Sequence, residues 1–127
     1  ARLTYALANA TCAKVNLITG QAFGSAYAIM NSKSLGADLV YAWPEAKVGM
    51  MDASMAAKIM YPNADAVELK EKAAEYENLQ SNIMSAAARG YVDLVVDPVD
   101  TRKYLIAAFE MLYTKYVSEP DKKHGTK

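Results

Sequence analysis

Apolar and polar positions alternate along Lys14-Val-Asn-Leu-Ile-Thr19 and the run stops at Gly20, the period of a short strand. The following residues, 20–34, are small and glycine-broken, with Ala22, Ala26, Ile29 and Met30 at helical spacing. They predict a loop entering a helix that Gly36 closes. Asp38-Leu-Val-Tyr-Ala-Trp43 is mostly apolar and ends at Pro44, as a strand covered on both faces would. Strand, helix and strand within about 30 residues make a βαβ unit with parallel strands.

Further along, Ala46-Lys-Val-Gly-Met-Met51 predicts a second short strand, and residues 53–61 a helix broken by Pro62. Asp65, with Glu68 three residues on, starts a helix over residues 65–80 as a capping box would, and Glu68 and Lys72 form an i,i+4 pair along it. Residues 81–89 form another helix ended by Gly90, and Tyr91-Val-Asp-Leu-Val-Val96 another strand. Asp97-Pro98 supplies an N-cap with proline at the first helical position. Leu105, Ile106, Phe109, Leu112, Tyr113 and Tyr116 then recur at helical spacing, a stripe wide enough to need a partner surface. Residues 1–10 are helical in composition with no capping residue ahead of them, as a cut segment reads, and removal of an initiator Met would leave the same first residue.

Composition narrows the function classes. The 127 residues are 53% apolar and carry 14 basic and 14 acidic side chains, so one small neutral domain with a real core is expected. Zero net charge without a Lys/Arg block removes the electrostatic term on which nucleic-acid binding rests. No apolar run approaches the ~18 residues of a transmembrane helix, so no membrane insertion is expected. One cysteine, Cys12, cannot form an internal disulfide, which fits a reducing cytoplasm.

The chemically informative segment is Gly20-Gln-Ala-Phe-Gly-Ser-Ala-Tyr-Ala-Ile-Met30, where a small-residue turn feeds a helix N-terminus. First-turn N–H groups have no intrahelical acceptor and can hold an oxyanion, and small residues at Gly24, Ser25 and Ala26 let a carbonyl approach the backbone. An ordinary tight βα turn explains the same residues. Ser25 lacks the Gly-x-Ser-x-Gly setting of a hydrolase nucleophile, and the only histidine, His124, lies in the polar tail. A single histidine with no Cys/His cluster makes no zinc site, so no metal is expected. Seven Met and nine Tyr read as packing residues. Asp93 and Asp97 flank an apolar strand, Asp97 as a cap, and Asp52 reads as a loop aspartate.

Taken together, Lys14-Val-Asn-Leu-Ile-Thr-Gly-Gln-Ala-Phe-Gly-Ser-Ala-Tyr27 and Gly36-Ala-Asp-Leu-Val-Tyr-Ala-Trp-Pro44 resemble the carboxyltransferase (beta-type) subunits of biotin-dependent acyl-CoA carboxylases and the related methylmalonyl-CoA decarboxylases. Ala86-Ala-Ala-Arg-Gly-Tyr-Val-Asp93, Asp97-Pro-Val-Asp-Thr-Arg102 and Pro120-Asp-Lys-Lys-His-Gly125 continue the resemblance in order. It implies an α/β chain with a partial crotonase-like fold of ββα units and flanking helices, residues 1–127 being the C-terminal portion of a carboxyltransferase C-terminal domain.

The function implied is carboxyl transfer between carboxybiotin and an acyl-CoA. Biotin is carried by a biotin carboxyl carrier protein, and a homo-oligomer or a companion carboxyltransferase fragment completes the site. The backbone amides of Ser25 and Ala26 would hold the ureido oxygen as negative charge develops there, with Gly24 and Tyr27 in the binding surface. Biotin itself can take the α-proton, so no acid/base pair is required. Ser25 stands where the family usually has glycine, and Asp93-Leu94 where it often has two acidic residues. Two other readings stay open on the sequence: an inactive, assembly-only truncated domain, and a crotonase-fold enoyl-CoA hydratase or isomerase.

Overall fold

In the computed structural model, residues 1–118 are described. Two small parallel sheets are built in step. β1 (Val15–Ile18), β3 (Leu39–Ala42) and β5 (Leu94–Val95) form one sheet in the order β1-β3-β5, and β2 (Gln21–Phe23) pairs with β4 (Lys47–Gly49) in the other. The chain therefore runs strand, second-sheet strand, helix, and repeats. α2 (Gly24–Ile29) closes the first ββα unit and α3 (Ala53–Met60) the second. α1 (Arg2–Asn9), α4 (Ala66–Tyr76), α5 (Ile83–Ala88) and α6 (Thr101–Met111) flank them.

β3 is the central strand, and its residues alternate between two cores because successive side chains point to opposite faces. Val40 and Ala42 join Ile18, Ala46, Val48, Ile83, Ala86 and Val92 in a cluster between the sheets. Tyr41 faces the other way, where Val96 and Ala108 of α6 cover it, with Val15, Leu17, Leu39 and Leu105 beside them. The expectation of a strand buried on both faces holds.

Carboxylates tie this sheet to its surroundings. Asp93 accepts the N–H of Val40 at 2.8 Å and receives Lys33 Nζ at 2.6 Å, fixing the approach of β5 to β3. Asp38 accepts the N–H of Lys14 at 2.7 Å and Lys115 Nζ at 2.8 Å. Lys14 Nζ reaches the carbonyl of Leu7 and Lys115 Nζ that of Cys12, so one carboxylate gathers the sheet edge, the α1 connection and the segment after α6. Burial works to raise the Asp38 pKa, but hydrogen bonds from Lys115 and Lys14 and the charges of both lysines leave it below its ordinary value.

Several local expectations are corrected. Residues 21–23, read as loop, form β2, because the pairing energy comes from β4, far along the chain. Helical spacing from Ala22 therefore ends up as strand followed by a helix that begins only at Gly24. Asp65 caps α4 through the N–H groups of Val67 and Glu68, but the ion pair along this helix is Lys72 with Glu75 at 3.1 Å rather than with Glu68. The helix expected over residues 65–80 ends at Tyr76 and passes into a π turn, Glu77–Ser81. At the other end Asp97 does cap, through Val99 N at 2.9 Å, opening a 3-10 turn at Pro98–Asp100. α6 stops at Met111, leaving Tyr113 and Tyr116 outside it and exposed. Only part of its stripe packs: Ala108 is buried, whereas Ile106 and Phe109 are half exposed. Asp52 is not a free loop aspartate but the N-cap of α3, accepting the N–H and hydroxyl of Ser54. His124 and the motif 120–125 lie outside the described residues.

Candidate functional site

The turn between β2 and α2 is set by one residue. Gly24 has φ +64°, a conformation that strains any side chain, and a Cβ there would sit 3.3 Å from the Met50 carbonyl oxygen. The backbone can thus swing out of β2 into α2 while lying against the end of β4. Ser25 carries no such demand, since Asn31 is the non-glycine residue with positive φ among the described residues. Its hydroxymethyl group is accommodated without strain where the resemblance leads one to expect glycine.

Phe23 occupies the N-cap of α2 and offers no side-chain acceptor, so the first-turn N–H groups, those of Ser25 and Ala26 among them, have no capping partner. Ser25 and Ala26 are exposed. Gly24, Ser25 and Tyr27 open into a pocket of about 390 Å³ whose other walls come from Gly49 at the end of β4 and Met50 just after it, from Tyr76 and Gln80, and from Arg89 and Tyr91. Ala26 lines the adjoining groove of about 530 Å³ that runs along β1 and β2, and Tyr27 lies between the two. Three of the four expected site residues therefore share one pocket, with the fourth on its shoulder.

Tyr27 leans on the inter-sheet core, and its hydroxyl is buried without a hydrogen-bond partner. Burial, and next the proximity of Tyr91, push its phenol above the ordinary value, so it remains protonated at neutral pH. Among the described residues, no acidic side chain lines the pocket. The aspartates considered from sequence are committed elsewhere: Asp52 and Asp97 as caps, Asp93 to Lys33 and Val40. The larger depression of about 610 Å³ on α6 is almost wholly apolar, its Arg102 and Glu110 cancelling in charge, and it presents no comparable set of donors.

The described residues give this pocket donors and no carboxylate to oppose them, which suits an oxygen that carries or gains negative charge. The carboxyl transferase domain family matches residues 1–126. The chain belongs to this family. Among relatives of this carboxyl transferase chain, the propionyl-CoA carboxylase carboxyltransferase subunit of Haloferax mediterranei is 45% identical over 134 residues, covering 98% of this chain and 25% of that protein. The biotin-dependent acetyl-/propionyl-coenzyme A carboxylase beta5 subunit of Mycobacterium leprae is 39% identical over 136 residues, with 98% and 25% covered. A crystal structure of transcarboxylase 12S, described as a hexamer assembly with hydrolyzed methylmalonyl-coenzyme A bound, superposes with a TM-score of 0.92. It is 42% identical and covered over 98% of this chain and 25% of that one. This carboxyl transferase chain spans about a quarter of the length of the curated relatives it matches. Its fold is the partial crotonase-like α/β arrangement that the resemblance implied. No helix among the described residues is long and apolar enough to cross a membrane.

Sequence reasoning found the turn and missed the opposite wall. Arg89 and Tyr91 stand inside a motif that carried the resemblance, yet nothing in their spacing assigns them to the turn. Gly49, Tyr76 and Gln80 carried no signal at all, because their proximity to Gly24 is created by the β2–β4 pairing and the π turn.

Proposed function

We infer that this chain supplies one wall of the active site of a biotin-dependent acyl-CoA carboxyltransferase, as the C-terminal portion, residues 1–127, of that enzyme's C-terminal domain. The observation that carries the reading is the Gly24-Ser25-Ala26-Tyr27 turn, whose first-turn N–H groups have no side-chain cap, beside a pocket that no acidic side chain lines among the described residues. Carboxybiotin borne on a carrier protein would supply the carboxyl group, and the oxygen of its ring urea is the acceptor that Ser25 and Ala26 would hold. The residues here fit that group: Ser25 and Ala26 offer backbone N–H donors to the oxygen, Gly24 keeps the turn free of a blocking side chain, and Tyr27 forms the floor. Donors fixed before reaction need no reorganisation as charge develops, and loss of one such donor typically costs about 3 to 4 kcal/mol in barrier.

No general base is asked of this chain, which agrees with the engagement of Asp52, Asp93 and Asp97 in caps and ties. The acyl-CoA is bound chiefly by parts of the enzyme outside this chain, either in the same polypeptide or in a companion fragment, with copies assembled around the shared site. The test begins with the native mass of complexes containing this chain, followed by an assay of carboxyl transfer to acyl-CoA on the complex. Replacement Ser25→Trp, which fills the pocket mouth, should lower transfer at least a hundredfold while leaving assembly intact. Undiminished transfer in that variant overturns the reading.

A further inference from the structure

The pocket wall opposite the turn is built around Arg89, whose guanidinium spans the π turn and α5. Nη2 donates to the carbonyls of Leu79 at 2.9 Å and Gln80 at 3.0 Å, Nε to the carbonyl of Ser85 at 3.2 Å, and Nη1 to the side-chain Oε1 of Gln80 at 2.8 Å. A π turn leaves carbonyls without regular helical donors, and one planar fork collects them.

Two consequences follow. A guanidinium can only donate, so the amide oxygen of Gln80 must face it, and the Nε2 donors are turned away from Arg89; among the described residues they meet no protein acceptor. Arg89 also forms no ion pair among the described residues, unlike Lys33, Lys47, Lys72 and Lys115, each of which pairs with a carboxylate. Among the described residues, no carboxylate neutralises its charge on a pocket that both it and Gln80 line and that no acid lines.

We propose that Gln80 is a ligand-binding residue, donating its Nε2–H to an electron-rich oxygen of the group that carries the carboxyl, and that Arg89 is the positioning residue that fixes that amide. The proposal rests on the reading of this pocket as the biotin site. The oxygen is either that of the ring urea or one of the carboxyl group in transit, and the chemistry of recognition is the same for both.

The experiment uses the assembled enzyme containing this chain, with biotin methyl ester as probe. Its dissociation constant is measured by calorimetry without acyl-CoA, and kcat/KM by carboxyl transfer. Gln80→Leu should lower kcat/KM about tenfold, the worth of one hydrogen bond to a charged group. Weakening of binding by the same factor identifies the urea oxygen; loss confined to transfer identifies the carboxyl oxygen. Arg89→Lys, which keeps the charge and loses the fork, should match Gln80→Leu, and the double variant should fall no further than either.

Additive losses in the double variant, or wild-type values in Gln80→Leu, overturn the proposal. Gln80 is exposed, so its variant is not expected to impair folding, and it stays informative if Arg89→Lys assembles poorly. Ser25→Trp on the facing wall separates the two ideas. If it abolishes ester binding while Gln80→Leu changes neither binding nor transfer, the pocket reading stands and this inference fails; if it leaves binding intact, both fail.

Discussion

The β1-β3-β5 sheet and the rim around the β2–α2 turn use polar groups in opposite ways. In the sheet each functional-looking carboxylate is neutralised: Asp93 by Lys33, Asp38 by Lys115, with backbone N–H groups filling the remaining acceptor positions. At the rim the donors are left over. Among the described residues, the first turn of α2 has no side-chain cap, the Gln80 amide nitrogen has no protein acceptor, and Arg89 has no carboxylate partner. Compensated charge holds strands in register, whereas at the rim Arg89 spends its donors on neutral oxygens of Leu79, Gln80 and Ser85 and keeps its charge, which with the donors of Gln80 suits a ligand that arrives with electron density. Alpha-helical and sheet residues with similar side chains thus serve different ends according to whether their partner lies within the fold.

The largest effect should come from breaking the holding region. Val40 is fully buried on the central strand, and Val40→Asp places an unpaired carboxylate between the sheets. A loss of about 4 kcal/mol or more is expected, enough to abolish a cooperative melt by circular dichroism. The receiving region should answer differently. Gly24→Ala strains the turn and presses a methyl group on the Met50 carbonyl, so transfer should fall about a hundredfold, through displaced donors, while stability drops by only about 1 to 2 kcal/mol. Equal losses of stability in the two variants would erase the distinction between the regions.

Asp38 sharpens it through pH. Its folded pKa is lowered, so the carboxylate's contribution is fully present above the ordinary value of 3.8 and is lost as pH falls through the lowered folded value. Asp38→Asn should cost about 2 kcal/mol at neutral pH and flatten the acid limb of a stability-versus-pH curve, with transfer per folded molecule unchanged. The smallest effect is expected at the surface pair Lys103–Asp100, 4.0 Å apart in water. Lys103→Ala should shift stability by less than about 0.5 kcal/mol in chemical denaturation and leave transfer alone.

Much of the sheet was legible in the sequence because its signals are local. The apolar run at residues 38–43 stopped by proline became β3, Asp65 and Asp97 became caps, and Gly36 adopted the left-handed conformation that ends a turn. β2 was not legible, since three residues acquire strand character only from a partner more than twenty residues away. The reach of the C-terminal helix was misjudged for a related reason. Periodicity reports which side chains could share a face, but Tyr113 and Tyr116 find no surface within the described fold, and the helix ends before them.

The site divides along the same line. The sequence by itself determined the small-residue turn at residues 24–27, because the need for glycine at a positive φ and for small neighbours at a helix start is written in adjacent positions. Only the tertiary structure decided that Gly49, Tyr76, Gln80, Arg89 and Tyr91 complete the pocket, and that Arg89 spends its donors on the π turn rather than on an acid. Backbone conformation is a property of neighbours in the chain; a pocket and its charge balance are properties of neighbours in space, and those are fixed only when the second sheet pairs and the helices pack on it.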